Sequence, residues 1–161
     1  MRDPLSLAKA LALLVPAALL AGAYGSQYWG GLAPCEMCWW QRYAHIAAFA
    51  FALIALLAGK MPDRGRSFVW LAALGILASG AIGVFHAGVE LDYWEGFTQC
   101  AALAGGSGDD FFKSIMEAPV VRCDEVQWSF LGISMAGWNA ILSLSSALLI
   151  LWLSLKRPRT A

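Results

Sequence analysis

The sequence has little charge for its length. Charged residues make up 14% of the 161 positions, and the 11 basic and 11 acidic side chains cancel. Hydrophobic residues make up 60% and the mean hydropathy is +0.62, whereas a soluble domain is nearer half apolar. The composition therefore excludes an ordinary soluble domain and favours a membrane protein. No nucleic acid is expected among its partners.

The sequence also lacks internal repeats, low-complexity segments and connections long enough to form a second domain, so we predict a single domain over residues 1–161. A membrane helix needs about 20 apolar residues, and four runs qualify. They predict helices at about 8–27, 37–58, 68–90 and 130–153. The first run resembles a signal peptide in part, but its length favours a membrane helix. The predicted fold class is an all-α integral membrane protein, a four-transmembrane-helix bundle.

Basic residues concentrate at the two ends of the chain and in the connection 59–67, whereas most acidic residues lie in the other two connections. The positive-inside rule then predicts that both termini are cytoplasmic. All four cysteines fall on the opposite side of the lipid bilayer. In bacteria that side is an oxidising compartment. We therefore expect a multi-pass membrane protein with both termini cytoplasmic and its cysteines on the outer, oxidising side.

One connection is much longer than the others, at about 91–129, and loops of this length are usually functional or disordered. Within it, residues 109–117 begin with acids, place apolar side chains on one face and stop before Pro119. This pattern predicts a short amphipathic helix at the membrane interface. The long periplasmic loop also contains Cys100 and Cys123.

The stretch from Pro34 to Arg42 contains the densest chemistry. Cys35 and Cys38 have the Cys-x-x-Cys spacing of redox pairs. Arg42 lies one helical turn beyond Cys38, so both share a helix face. An arginine in apolar surroundings indicates function, although it could also extend to the lipid headgroups. Because Cys38 falls in the first turn, unpaired backbone amides would favour its thiolate.

Four cysteines on an oxidising side predict disulfides, and two explanations compete with redox use. A bond between Cys100 and Cys123 could simply stabilise the long loop, by roughly 3–4 kcal/mol in the chain-entropy model. That explanation does not fit Cys35 and Cys38, because a four-residue ring constrains little. Zinc binding is disfavoured because the second pair lacks the tight spacing of structural sites. We therefore predict redox cysteines and no metal.

Four further side chains lie near this chemistry. Gln41 shares the Cys38 face and could assist Arg42. His45 lies deeper on that face, where a lone histidine more often satisfies a neighbour than binds a ligand. His86 and Glu90 lie four residues apart at the outer end of the third run. There, His86 could bind an acceptor oxygen or deliver a proton, or serve packing alone.

These motifs resemble the disulfide bond formation protein B (DsbB) family of bacterial inner-membrane thiol:quinone oxidoreductases. The matching pieces are Pro34-Cys35-x-x-Cys38-x-x-x-Arg42, the loop pair Cys100 and Cys123, and the segment Gln127-Trp128-x-Phe130-Leu131-Gly132. The number of helices and the loop lengths agree over nearly the whole chain. The Cys-x-x-Cys spacing alone would be a weak signal, but the combination is specific.

The resemblance implies redox-active disulfides Cys35–Cys38 and Cys100–Cys123. A reduced periplasmic thioredoxin-fold partner (DsbA-like) would attack Cys100, and Cys123 would then reach Cys35. Cys38 would form the thiolate complex with ubiquinone or menaquinone from the membrane quinone pool, beside Arg42. Quinone contacts from Gln41, His86 and Glu90 are weaker expectations.

Two other classes of protein remain open. A vitamin K epoxide reductase-type enzyme uses a similar four-cysteine relay, but its Cys-x-x-Cys lies in a late helix rather than at the second. A non-enzymatic membrane adaptor with stabilising disulfides would show no quinone reduction.

Overall fold

The computed structural model describes residues 3–95 and 121–156. In chain order, the elements are helix α1 (Pro4–Tyr28), helix α2 (Glu36–Leu57), a 3-10 turn (Ala58–Lys60), helix α3 (Arg66–Glu90), strands β1 (Ser129–Phe130) and β2 (Ile133–Ser134), and helix α4 (Met135–Leu155). All four of these α-helices are long and apolar enough to cross a membrane. The predicted all-α, four-helix membrane fold is confirmed.

Helix α1 begins at Pro4, four residues before the predicted start. Proline suits the first position of a helix because its missing N–H would have no partner there. Asp3 precedes it, accepts a hydrogen bond from Ser6 and forms an ion pair with Arg64 at 2.7 Å. The start of α1 is therefore tied to the connection between α2 and α3.

Helix α4 begins at Met135, five residues after the predicted start at 130. The intervening residues form a two-stranded antiparallel hairpin in which Ser129 pairs with Ser134. Its turn places Leu131 and Gly132 at φ 54° and 77°, in the left-handed region, which an α-helix cannot include. Ser134 then caps α4 by accepting the Gly137 N–H at 3.1 Å. The apolar run alone did not reveal this turn.

Of the predicted long loop, only its two ends belong to the described part of the chain. Cys100 and the predicted amphipathic helix at 109–117 lie outside the described residues. The loop's second end, from 121 onward, returns to the bundle and brings Cys123 against the start of α2.

The half of the bundle away from the cysteines packs through small side chains. Helix α3 contacts α2 and α4, and α1 closes the bundle against the same two helices. At Gly75 in α3, an added Cβ would lie 3.0 Å from Ala48 Cβ and 3.1 Å from the Ala44 carbonyl oxygen. The core here is largely alanine: Leu5, Ala8, Ala12, Ala48, Ala52, Ala55, Val69, Ala72, Ala73, Ile76, Ala147, Ile150 and Leu153. We call this half the alanine end, and the other half the cysteine end.

Candidate functional site

Cys35 is both the N-cap of α2 and the first residue of the Cys-x-x-Cys pair. Its Sγ lies 2.8 Å from Cys38 Sγ and accepts the backbone N–H of Cys38 at 3.4 Å. The helix-terminal amide therefore points at Cys35. The expectation that the unpaired amides of the first turn favour a thiolate at Cys38 stays a prediction, and the structure adds that the Cys38 amide itself contacts the Cys35 sulfur.

Cys123 joins this pair from the far end of the loop. The sulfurs of Cys35 and Cys123 and a ring nitrogen of His86 all lie within 4.8 Å of one another, and all three residues are buried. The pKa of Cys35 is raised, first by hydrogen bonding with Cys123, then by that with Cys38, and by burial. Cys35 thus lies between two candidate exchange partners.

His86 lies closer to the sulfurs than its sequence position indicated. Its Nε2 is 3.6 Å from Cys35 Sγ and 3.8 Å from Glu90 Oε1, and its Nδ1 is 2.9 Å from Gln41 Nε2. Glu90 in turn accepts a hydrogen bond from the Ser134 hydroxyl. The predicted neighbours His86 and Glu90 therefore meet Gln41 and Cys35 in one buried group.

Gln41 connects this group to α4. Its Nε2 donates to the Met37 carbonyl at 3.1 Å, and its Oε1 accepts from Asn139 Nδ2 at 2.7 Å. Asn139 Nδ2 also donates to the Ser79 carbonyl at 3.2 Å. A chain of side-chain amides therefore crosses the bundle from α4 through α2 to His86 on α3.

His45 forms the deeper branch of the same network. Its Nε2 lies 2.9 Å from Asn139 Oδ1, which also accepts from the Ser143 hydroxyl at 3.0 Å. Its Nδ1 is buried without a hydrogen-bond partner among the described residues. The histidine thus satisfies a neighbour, as the interpretation from the sequence favoured.

Arg42 is buried, with 5% of its surface exposed, and so does not extend to the lipid headgroups. Its guanidinium donates to Gln27 Oε1 at 2.5 Å and to the Ala23 carbonyl at 2.9 Å, both on α1. The Tyr24 and Trp39 rings lie against it, with centroids 4.8 and 5.0 Å away. The packing of α1 against α2 therefore holds a cation in place at the cysteine end.

A cavity of about 560 Å³ opens at the cysteine end, and most of its lining is apolar. Cys38 and Arg42 both line it, which agrees with their predicted common face. Its other polar and ionisable lining residues include Cys35, Gln41, His45, His86, Glu90 and Asn139. Ligand sites have this character, a concave apolar surface with a few convergent polar groups.

Among the described residues, the structure brings together every site residue predicted from the sequence. Cys100 lies outside them, and the redox pairing of the cysteines stays a prediction. Sequence analysis missed Gln27, which holds Arg42, and Asn139, which holds Gln41. The available signal was an uncharged amide inside an apolar run, since polar groups within membrane helices tend to face the bundle interior.

Comparison with known proteins identifies the family of the chain. The chain matches the family model described as Disulfide bond formation protein DsbB over residues 6–153. Disulfide bond formation protein B of Azoarcus sp. is 32% identical over 146 residues, covering 85% of this chain and 84% of the relative. Its counterpart in Marinobacter nauticus is 32% identical over 155 residues, covering 91% and 90%. No solved structure matches the chain.

Proposed function

The chain belongs to the disulfide bond formation protein DsbB family and is a multi-pass membrane protein of bacterial disulfide formation; from this premise we propose that it is a thiol:quinone oxidoreductase. It takes two electrons and two protons from the dithiol of a periplasmic thioredoxin-fold protein (DsbA-like), which becomes a disulfide. It passes them through two cysteine pairs to ubiquinone or menaquinone.

One observation carries the proposal: Cys35 lies within reach of both Cys38 and Cys123 at the edge of a cavity. Thiol–disulfide exchange requires a thiolate to attack a disulfide sulfur directly. A Cys35 sulfur that contacts both partners can exchange with either one without a large movement of α2. Electrons that enter the loop pair Cys100 and Cys123 can therefore reach Cys38, which lines the cavity.

The residues that line the cavity fit a quinone headgroup. The lining is mainly apolar, and Arg42 supplies a buried cation whose remaining N–H groups suit a carbonyl oxygen. Gln41, His86 and Glu90 are further polar residues of the same lining. When bound, a quinone supplies the oxidising power that the protein's own side chains lack. Arg42 would hold and polarise it beside Cys38.

The charge distribution supports the placement of this site on the periplasmic face. Arg64 and Lys60 lie in the connection opposite the cysteine end, and the positive-inside rule assigns that connection to the cytoplasm. A cysteine probe introduced at Ser67 should resist impermeant labelling from outside, whereas one in the 91–129 loop should react. Labelling at Ser67 and protection of the loop would reverse the assignment.

The central test is quinone reduction by the purified protein, with a reduced thioredoxin-fold partner, in wild type and each single Cys→Ser variant. Cys100→Ser should abolish partner oxidation but leave reduction of quinone by a small dithiol through the Cys35–Cys38 pair. Cys123→Ser should accumulate a mixed disulfide between the partner and Cys100, because the resolving sulfur is absent.

Two results would contradict the proposal. Partner adducts through Cys35 would show that the order of the relay is wrong. Neither oxidation of the partner nor reduction of quinone by the wild type would leave a disulfide-stabilised adaptor instead of an enzyme.

A further inference from the structure

The amide network around Gln41 fixes which nitrogen of His86 carries hydrogen. Main-chain carbonyl oxygens only accept hydrogen bonds. The Ser79 carbonyl therefore identifies the facing atom of Asn139 as its NH₂ group. Asn139 then donates to Gln41 Oε1, and the NH₂ group of Gln41 faces the Met37 carbonyl. Both amides have a single orientation that satisfies these contacts.

His86 is the last member of this chain. The second hydrogen of Gln41 Nε2 points to His86 Nδ1 at 2.9 Å, so Nδ1 must accept. A neutral imidazole with an accepting Nδ1 carries its hydrogen on Nε2. Nε2 is the nitrogen that lies 3.6 Å from Cys35 Sγ. The acceptors around this N–H are the Cys35 sulfur, where the two cysteine pairs meet, Glu90 Oε1 at 3.8 Å and the main chain of Cys123. Among these, a Cys35 thiolate would be the charged acceptor formed during exchange.

We propose that His86 is a catalytic hydrogen-bond donor to the Cys35 thiolate, and that Gln41 and Asn139 are positioning residues that hold it in the Nε2–H form. The inference rests on the proposed relay. In that relay, Cys123 first bonds to Cys35, and the electron pair of the broken Cys35–Cys38 bond leaves on Cys38. When the Cys100 thiolate then attacks Cys123, the Cys100–Cys123 bond forms and the Cys35–Cys123 bond breaks. The electron pair stays on Cys35 Sγ, where the His86 N–H stabilises it.

This assignment distinguishes His86 from two simpler roles. Cys35, His86 and Cys123 offer atom types that bind transition metals, but a nitrogen that carries hydrogen has no lone pair for a metal. A packing role would require no particular tautomer. The network of Gln41 and Asn139 nevertheless selects one, and hydrogen bonds to an ionised sulfur are stronger than neutral ones.

The first test measures the ionisation of Cys35 without partner or quinone. In a background with Cys38, Cys100 and Cys123 changed to Ser, the rate of alkylation by iodoacetamide is followed against pH. His86→Phe should raise the pH midpoint of the alkylation rate by at least about one pH unit. At a fixed pH below the midpoint, this leaves about tenfold less Cys35 thiolate. Gln41→Leu should raise the midpoint by less. The plateau rate at high pH reports access to the sulfur and should stay unchanged.

The other charged groups at the site require controls, since Glu90, Arg42, Arg122 and Glu125 also line the cavity. Glu90→Gln removes the carboxylate that lies 3.8 Å from His86 Nε2 and should leave the effect of His86→Phe intact. Ser154→Ala removes a buried hydroxyl at the alanine end, bonded to Trp70, and should not move the midpoint. An unchanged midpoint in His86→Phe, with only the plateau altered, would overturn the proposal and leave a packing role.

A second measurement needs no substitution at His86. The ¹⁵N chemical shifts of its ring in the wild-type protein should show hydrogen on Nε2 and a bare Nδ1, and Gln41→Leu should give a mixture of tautomers. Hydrogen on Nδ1 in wild type would overturn the proposal. Neither test uses quinone, so the two proposals can fail separately. If the wild type reduces no quinone but His86→Phe still raises the pH midpoint of alkylation, the proposed function is refuted and this inference stands.

Discussion

At the alanine end the helices meet through methyl groups and glycine, whereas at the cysteine end they meet through cysteine, histidine, glutamine and asparagine. Ala48 and Gly75 bring α2 and α3 together so closely that a Cβ at Gly75 would be crowded. Nearer the cysteine end, Gln41 and His86 join the same two helices through a hydrogen bond. The same helix pair thus packs mainly through small apolar groups at one end and is joined by polar side chains at the other.

The comparison shows how a small bundle divides its tasks. Membrane helices gain little from burial of apolar surface, so close packing of small residues supplies much of their association. The alanine end has that packing. The cysteine end is less closely packed because it contains the 560 Å³ cavity. There, a connected set of hydrogen bonds holds the side chains in place.

Substitutions at two glycines should show the largest difference in packing between the two ends. Gly75→Ala should destabilise the bundle, because the Ala48 Cα and the Ala44 carbonyl cannot move aside; overpacking costs about 1–3 kcal/mol. Gly22 lines the cavity, and a Cβ there meets no atom within 4 Å. Gly22→Ala should therefore gain about 0.5–1 kcal/mol from helix propensity.

Unfolding titrations in mixed micelles of increasing SDS content would measure both free energies. Equal effects at the two positions would contradict the difference in packing between the alanine end and the cysteine end.

Arg42 tests whether the cysteine end is built for an acceptor. Arg42→Lys keeps the charge but loses the planar fork that spans Gln27 and Ala23, and Arg42→Met loses both. The KM for quinone should rise from wild type to Lys to Met, by about tenfold or more in Met, since each tenfold costs about 1.4 kcal/mol. Steady-state quinone reduction measures this.

The matched measurement is stopped-flow thiol exchange with the partner, which should stay nearly unchanged because that step begins at Cys100 and does not involve the quinone. Equal quinone kinetics in wild type and Arg42→Met would show that the arginine only connects α1 and α2 and does not bind quinone.

Asp63 should give the smallest effect, at the connection beside the alanine end. Its carboxylate accepts the N–H groups of Ser67 and Gly65, each at 2.9 Å, and these bonds lower its pKa to about 2, with Ser67 the larger cause. A lowered folded-state pKa means that the stabilisation is complete above about pH 4, the unfolded value, and is lost as the pH falls toward 2.

Asp63→Asn keeps an accepting oxygen but cannot titrate. The stability difference between wild type and Asp63→Asn should therefore be constant above pH 4 and fall below it. A difference that does not change between pH 5 and pH 2 would show that these bonds do not depend on the charge.

The helices could be predicted from the sequence because apolar length is a local property, and Cys35, Cys38 and Arg42 could be placed because one helix fixes their spacing. The start of α4 could not be predicted, because the left-handed turn at Leu131 and Gly132 does not change the hydropathy of the run. The contact between Gln41 and His86 joins residues 45 positions apart. Local sequence patterns do not show which residues of two helices face each other. The amide network could therefore be identified only from the three-dimensional structure.

The position of Cys35 as a helix cap makes the four cysteine substitutions unequal as experimental probes. Serine is among the best N-cap residues, and its hydroxyl can accept the Cys38 N–H that the sulfur accepts now. Cys35→Ser therefore removes the reactive atom and keeps the helix start, whereas Cys35→Ala removes both. A comparison of the two variants separates lost chemistry from a frayed first turn, which a serine series alone cannot do.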